Sequence, residues 1–176
     1  MKKINLSILL AVLLLAAAGA ILPACRPEQT DLPFDTIAQD DGFATGRSPA
    51  DPNLVVISNP EQVDSPGLDV QFPSNLAEQL RAVDYQTHFV IAVFRGTLRG
   101  RSPKLDVEVL RIVRDRDRVV VQARFGHSVV GERSFPAFSS PYHIITVSKE
   151  GKWSRDIRFT LKVDEKEVVE RTYFIP

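Results

Sequence analysis

Few residues of this sequence combine the types and spacing that catalysis or metal binding requires. The three histidines, His88, His127 and His143, lie far apart and follow none of the spacings that zinc sites use. The segment 126–131 places Ser128 beside His127, but its second glycine comes one residue later than in the G-x-S-x-G turn of hydrolases. No glycine-rich phosphate loop is present either. The sequence therefore predicts no enzyme, no metal and no cofactor, and a hydrolase using Ser128 and His127 is the weakest of three hypotheses.

Cys25 is the residue whose chemistry stands out, since it is the only cysteine and follows a segment laid out like a signal peptide. Two lysines precede residues 8–22, all of which are apolar or glycine. The uncharged run is just long enough to cross a bilayer, so the alternatives are a retained membrane helix and an ordinary secretory signal followed by a chance cysteine. The final four residues, Leu22-Pro23-Ala24-Cys25, resemble the lipobox of bacterial lipoproteins, with Pro23 departing from the usual small or β-branched residue.

The lipobox resemblance implies that residues 1–24 are removed and that Cys25 carries a diacylglyceryl group, with or without an added N-acyl chain such as palmitate. Stable anchoring takes about two acyl chains, which a diacylglyceryl group supplies. The protein would then be lipid-anchored on the extracytoplasmic face of a bacterial membrane. The mature chain would hold 152 residues with 20 basic and 22 acidic side chains, a balance that argues against nucleic-acid binding and against coating anionic lipid.

Composition divides the mature chain into a spacer, residues 25–52, and a folded domain, residues 53–176. The spacer contains six acidic residues and several prolines without apolar periodicity, which predicts disorder. A flexible coil of about 27 residues would hold the domain roughly 30 Å from the membrane on average. The sequence thus predicts one folded domain on a long, flexible, lipidated tether.

Within the domain, short runs of apolar residues with a period of two alternate with polar turns and predict six or seven strands. One short helix is predicted from Leu76 to Val83, with Asn75 and Glu78 forming a capping box. Between Leu105 and Ile112 the apolar residues change parity, which indicates a β-bulge or a strand entering the core. The pattern favours a mostly-β fold, either an antiparallel β-sandwich or an open barrel.

Several of these strand segments resemble the PrcB-type C-terminal domain. Asp84–Gly96 is similar to its opening strand, residues 105–109 and 118–121 to the next two strands, and Ser140–Val147 to a later one. The span of the match, from Asp84 to Lys149, is about two-fifths of the chain. The family is named for a subunit of a surface protease complex that binds and stabilises the protease without cutting. Residues 100–104 depart from the family's Thr-Gly-Gly-Tyr-like turn. The resemblance implies non-catalytic protein binding, with an exported protease as a candidate partner.

Two connections have the composition of contact surfaces. Residues 95–104 hold four basic side chains and no acidic one, and the alternative is a solvated hairpin loop. Residues 126–140 form a long connection with two phenylalanines, and the alternative is that both cover one end of the core. The residues predicted to bind a protein partner are Arg99, Arg101, Lys104, Phe135 and Phe138.

The leading hypothesis is therefore a membrane-tethered, non-catalytic domain that binds a protein. A second hypothesis is a carrier of a small molecule or lipid with an apolar cavity between its sheets. A ligand retained on the purified domain and detected by native mass spectrometry would favour the carrier.

Overall fold

The computed structural model of the chain describes residues 29–40, 49–65, 70–101, 107–126 and 135–176, with the backbone alone at 99–101 and 135–137. Cys25, Lys104, His127 and Ser128 lie outside these ranges. Eleven strands and one α-helix are present in the described part of the chain. The strands are β1 (Thr30–Asp31), β2 (Phe34–Asp40), β3 (Asn53–Ile57), β4 (His88–Phe94), β5 (Leu98–Arg101), β6 (Val107–Asp115), β7 (Arg118–Phe125), β8 (Phe135–Ser139), β9 (Tyr142–Ser148), β10 (Arg155–Val163) and β11 (Lys166–Ile175).

Most of the strands belong to two sheets that pack face to face as a sandwich. Sheet A has the order β1-β6-β7-β10-β11 and sheet B the order β2-β9-β4-β3, while β5 and β8 form a separate two-stranded ribbon. All pairs are antiparallel except β7 and β10, which run parallel. The mostly-β, mainly antiparallel sandwich predicted from the sequence is confirmed. Each of the seven apolar segments interpreted as strands forms one, but the predicted total of six or seven is too low. The four strands that the sequence analysis missed are β1, β2, β5 and β8.

The core has two apolar layers, one on each face of sheet B. Alternate residues of β4 enter different layers, so Phe89, Ile91 and Val93 pack between the sheets. Val90 and Ala92 pack on the opposite face with α1 (Ser74–Arg81). A strand covered on both faces has no polar alternation, which explains the continuous apolar run at this place in the sequence. Strand β4 is thus the centre of the fold.

The helix forms where the sequence predicted one, but it begins differently. It spans Ser74–Arg81, and Pro73 holds the N-cap position without a side-chain hydrogen bond, so the predicted capping box of Asn75 and Glu78 is wrong. Side-chain hydrogen bonds instead cap the start of the preceding element, the 3₁₀ turn Pro60–Asp64. There the Gln62 backbone N–H donates to Asn59 Oδ1 at 3.1 Å, and the Ser58 N–H donates to Gln62 Oε1 at 2.7 Å.

The change of parity in β6 is a β-bulge, as predicted. Its register with β7 shifts between Val109 and Arg111, which leaves Leu110 as the extra residue. Leu110 is 51% exposed, whereas Ile112 is fully buried. The bulge thus turns Leu110 outward while Ile112 packs in the core.

Residues 30–40, which the sequence analysis assigned to the disordered spacer, form β1 and β2, so the predicted spacer and the domain boundary at residue 53 are wrong here. Thr30 pairs with Arg114 in sheet A, and Phe34 pairs with Val147 in sheet B. Leu32 lies between the two strands and is 3% exposed, packed in the core between the sheets. The chain therefore crosses from one sheet to the other and closes one side of the sandwich.

The strand registers define two opposite ends of the sandwich. The Thr30 end contains Thr30, the β6–β7 turn and the β9–β10 loop, since the Arg114 guanidinium in β6 donates to Glu150 O at 3.0 Å. The opposite end contains the β10–β11 turn and the start of β6, where Gln39 Nε2 donates to Val107 O at 2.7 Å. This second end also carries the ribbon and is called the ribbon end below.

His143, in β9, joins sheet B to sheet A through Nδ1 and contacts the neighbouring strand β2 of its own sheet through Nε2. It is 3% exposed, and its Nδ1 accepts a hydrogen bond from the Val109 backbone N–H at 2.9 Å. Because Nδ1 accepts, the neutral ring carries its proton on Nε2, which donates to Thr36 Oγ1 at 2.9 Å. Burial lowers the pKa of His143, and the nearby charge of Glu108 opposes that shift to a smaller extent. The arrangement therefore requires a neutral imidazole.

Stability is expected to decrease as the pH falls below about 6.5, the ordinary histidine pKa. In that range the unfolded chain binds a proton that folded His143 does not, which gives a slope of up to about 1.4 kcal/mol per pH unit. His143→Leu should lower the free energy of unfolding by about 1–3 kcal/mol at neutral pH, because the Val109 N–H loses its acceptor. Urea titrations at several pH values measure both effects.

The matched control for this prediction is His88→Gln, since His88 is a partly exposed histidine at the start of β4. That variant should keep the pH slope of the unmodified protein because it retains His143. A His143→Leu variant with the same slope as the unmodified protein would contradict the assignment of His143 as the group that titrates on unfolding.

Candidate partner-binding ribbon

The two segments that the sequence analysis treated as separate contact loops are neighbouring strands. In the ribbon formed by β5 and β8, Leu98 lies opposite Ser139, Arg99 opposite Phe138 and Arg101 opposite Phe135. The prediction of two irregular loops is therefore wrong for these residues. The backbone brings four of the five predicted contact positions together, and the fifth, Lys104, lies outside the described residues.

The base of the ribbon is held by a close backbone approach at Gly96. Gly96 has φ +96°, and a Cβ at this position would lie 2.7 Å from the Ala50 carbonyl oxygen. Only glycine fits both the conformation and the space. Next to it, the Thr97 N–H donates to Ala50 O at 3.1 Å and the Thr97 hydroxyl donates to Pro49 O at 3.1 Å. The segment ahead of β3 thus fixes the start of β5.

Arg95 fixes the base from the other side and has a structural role that the sequence analysis did not identify. Its backbone N–H donates to Pro141 O at 3.0 Å, and its guanidinium donates to Gly126 O. The same guanidinium lies 5.6 Å from the centroid of the Phe125 ring, within cation–π range. Arg95 therefore ties β4 to the end of β7 and to the start of β9, and only the arginines beyond it are candidates for partner contact.

Phe138 presents a large apolar side chain to solvent at the ribbon end. It is 56% exposed, while the next residue, Ser139, is 1% exposed and belongs to the buried base. The alternative in which both phenylalanines cover the core is thus excluded for Phe138. An exposed aromatic residue beside arginine is a common composition for the energetic centre of a protein interface.

Other candidate chemistry is not found in the described part of the chain. No group of three or more His, Cys, Asp or Glu side chains is placed to hold a metal ion there. Within the same residues, no helix is long and apolar enough to cross a membrane. His88 is the first residue of β4, where its Nδ1 is 2.8 Å from Thr87 Oγ1, and His143 is the buried residue described above.

Comparisons with known proteins give no assignment. No protein-family model matches the chain, and neither a curated protein nor a solved structure matches it. The likeness to the PrcB-type domain rests on the sequence segments alone.

Proposed function

We propose that this protein is a lipid-anchored, extracytoplasmic, non-catalytic domain that binds a protein partner through the β5–β8 ribbon. The observation that carries the proposal is the backbone register that sets Arg99 opposite Phe138, with the phenylalanine 56% exposed. Cys25, modified with diacylglycerol, anchors the domain to the membrane. No cofactor or metal takes part.

The residue types of the ribbon and the rigidity of its base both support the proposal. Arginine and aromatic residues are enriched among the few side chains that dominate binding energy. Directly opposite residues of an antiparallel pair are neighbours, so the backbone register of β5 and β8 supports a single patch of basic and aromatic residues. Fixing the base at Gly96 and Arg95 reduces the conformational entropy lost on binding. The partner surface that fits this patch is an apolar pocket with acidic residues around it.

An exported protease or its complex is the partner class that the PrcB-like segments favour. The ribbon projects from the end of the sandwich opposite Thr30, so a chain that enters from a membrane anchor leaves the ribbon facing away from the bilayer. The domain would act by holding and stabilising its partner near the membrane. Purification of the tagged, lipidated protein from a detergent extract should recover this partner in stoichiometric amount.

Phe138→Ala is expected to weaken partner binding by about 2 kcal/mol or more, roughly thirtyfold, if Phe138 is an interface anchor. The melting transition should change little, because the side chain is exposed. Binding is measured by surface plasmon resonance with the purified partner. Leu110→Ala is the matched control, since Leu110 is 51% exposed on sheet A and lies outside the ribbon.

Two sets of variants test the basic and the aromatic side chains of the patch separately. Changing Arg99, Arg101 and Lys104 together to Ser should slow association, and more strongly at low salt than at high salt. Adding Phe135→Ala to Phe138→Ala should weaken binding further without unfolding the domain. Normal partner capture by both stable variants would remove the ribbon from the interface. A loss of about 3–5 kcal/mol of stability in the double variant would instead place Phe135 in the core.

A further inference from the structure

The Thr30 end of the sandwich lies within a short reach of the proposed anchor. Thr30 is five residues after Cys25, so the connecting chain spans at most about 17 Å. The long flexible spacer expected from the sequence is therefore much shortened, because Thr30 is already paired with Arg114 in sheet A. The ribbon is at the other end of strands such as β11, whose ten residues span about 30 Å. Lipid on Cys25 thus brings one defined end of the domain to the bilayer.

Two connections at this end carry more positive than negative charge, although the mature chain as a whole is slightly acidic; Asp31, paired with Arg111, and Asp84, beside Lys149, lie next to them. The β6–β7 turn and the β9–β10 loop, with the strand residues beside them, hold six basic and four acidic side chains. Arg116 and Lys152 are exposed and form no ion pair within the described ranges. Burial lowers the pKa of Arg114, and the nearby charge of Arg155 adds to that shift. The basic residues are Arg114, Arg116, Arg118, Lys149, Lys152 and Arg155.

A surface depression of about 320 Å³ lies at the same end and has the donors that an anionic headgroup requires. It is lined by Arg116, Arg118 and Arg158 together with Asp115 and Asp117. The Nη2 of Arg118 is 3.3 Å from Glu167 and the Nε of Arg158 is 3.8 Å from Glu170, both in exposed ion pairs. Exposed pairs of this kind are weak, so these guanidinium groups can turn toward a phosphate.

An apolar side chain completes the surface. Phe174 is 57% exposed and lies opposite Asp156, close to where β10 begins. Aromatic residues are favoured at the level of the lipid headgroups, where an apolar ring contacts the acyl chains beside polar neighbours. The charged turns and Phe174 together extend across sheet A from β6 to β11.

We propose that the Thr30 end rests on the membrane and binds the headgroups of anionic phospholipids through Arg116, Lys152 and the arginine-lined depression. This inference relies on the lipid anchor of the proposed function. The short connection keeps the basic end near the bilayer, and local attraction then selects one orientation. The domain stands upright, with the ribbon directed away from the membrane toward its partner.

The test uses the full-length, lipidated protein in vesicles and follows one spin label at each end. Because Cys25 is the only native cysteine and its sulfur carries the lipid, an introduced cysteine is the only reactive thiol. Ser154→Cys reports on the Thr30 end and Lys166→Cys on the ribbon end, and both residues are exposed. In vesicles of phosphatidylglycerol and phosphatidylethanolamine, the label at 154 should be shielded from a water-soluble nickel complex and relaxed by membrane-dissolved oxygen. The label at 166 should remain accessible to nickel.

Removing basic side chains tests the orientation of the domain on the membrane independently of its lipid anchor. The double variant Arg116→Gln, Lys152→Gln removes two positive charges. The ratio of shielded to exposed label at position 154 should fall by roughly fivefold for each charge removed. Vesicles of phosphatidylcholine alone should give a similar loss, while the protein still floats with the vesicles. Equal nickel access at 154 and 166 in the anionic vesicles, with lipid present on Cys25, would overturn the orientation and leave the anchor intact. Absence of lipid on Cys25 by mass spectrometry would overturn both.

Discussion

Cys25→Ser is expected to release the protein from the membrane fraction or leave it as an uncleaved precursor, with no incorporation of fatty acid. Serine has no thiol to carry the diacylglyceryl group that the lipobox implies. Each buried methylene contributes about 0.8 kcal/mol to membrane affinity, so loss of two acyl chains changes a permanent anchor into weak or no attachment. Metabolic labelling with a fatty acid and fractionation of membranes measure the two outcomes.

The control for this experiment is Arg26→Ala, which changes the residue after the cysteine and keeps Leu22-Pro23-Ala24-Cys25 intact. This variant should still incorporate fatty acid and remain with the membranes. A Cys25→Ser protein that is labelled and retained like the unmodified chain would show that the segment is a membrane helix or that the lipid is attached elsewhere.

Phe89→Ala is expected to lower the free energy of unfolding by about 3–5 kcal/mol. Phe89 is fully buried in β4, and its ring centroid lies 5.1 Å from that of Trp153 and 5.9 Å from that of Phe159, both in edge-to-face geometry. The cluster links sheet B to sheet A, so truncation leaves a cavity in the layer between them. A domain of this size has a typical total stability of about 5–15 kcal/mol, and the loss would be a large part of it.

Urea denaturation of the full chain checks this prediction, with Phe174→Ala as the matched control. Phe174 is 57% exposed, so its truncation should change the stability by no more than about 0.5 kcal/mol. Similar small effects for both variants would contradict the position of Phe89 at the centre of the packed layer. A large effect for Phe174 alone would show that β11 is covered in solution.

Most strands of the sandwich were predictable because the pattern of apolar and polar residues along a strand depends on which of its faces are buried. Strand β4 has a continuous apolar run, since both of its faces are covered, and β10 alternates because only one face is buried. Strand β2 was not predicted, because none of its side chains is deeply buried. It lies at the edge of sheet B and exposes polar residues such as Asp35 and Gln39, so its composition is that of a linker. The one deeply buried side chain nearby, Leu32, gives no periodic signal.

The candidate site was predictable in its residue types but not in its arrangement. An excess of basic residues around Arg99 and the phenylalanines near Phe138 could be seen in the sequence. The sequence does not show that these two residues lie opposite each other, because pairing between distant segments depends on tertiary structure. The same limit applies to Arg95, which belongs to the basic group by composition yet supports the base of the ribbon through backbone oxygens and the Phe125 ring.

The two ends of the sandwich together suggest how such a domain would work at a membrane. A lipid anchor at Cys25 would leave the domain little freedom to tumble, because Thr30 follows five residues later and is already paired in sheet A, and the ribbon lies at the far end of the sandwich. A partner bound there would be held at a distance from the bilayer set by the length of the sandwich, about 30 Å. A partner with an acidic rim would also be oriented by the arginines.

The most direct test of partner binding is site-specific photocrosslinking in intact cells, with a photoreactive amino acid in place of Phe138. The account predicts one discrete crosslinked protein of extracytoplasmic location, lost when Arg99 and Arg101 are changed to Ser. The same photoreactive group in place of Leu110, which is similarly exposed but lies outside the ribbon, should not capture it. An identical set of abundant envelope proteins crosslinked from both positions would contradict the claim that the ribbon binds a specific partner.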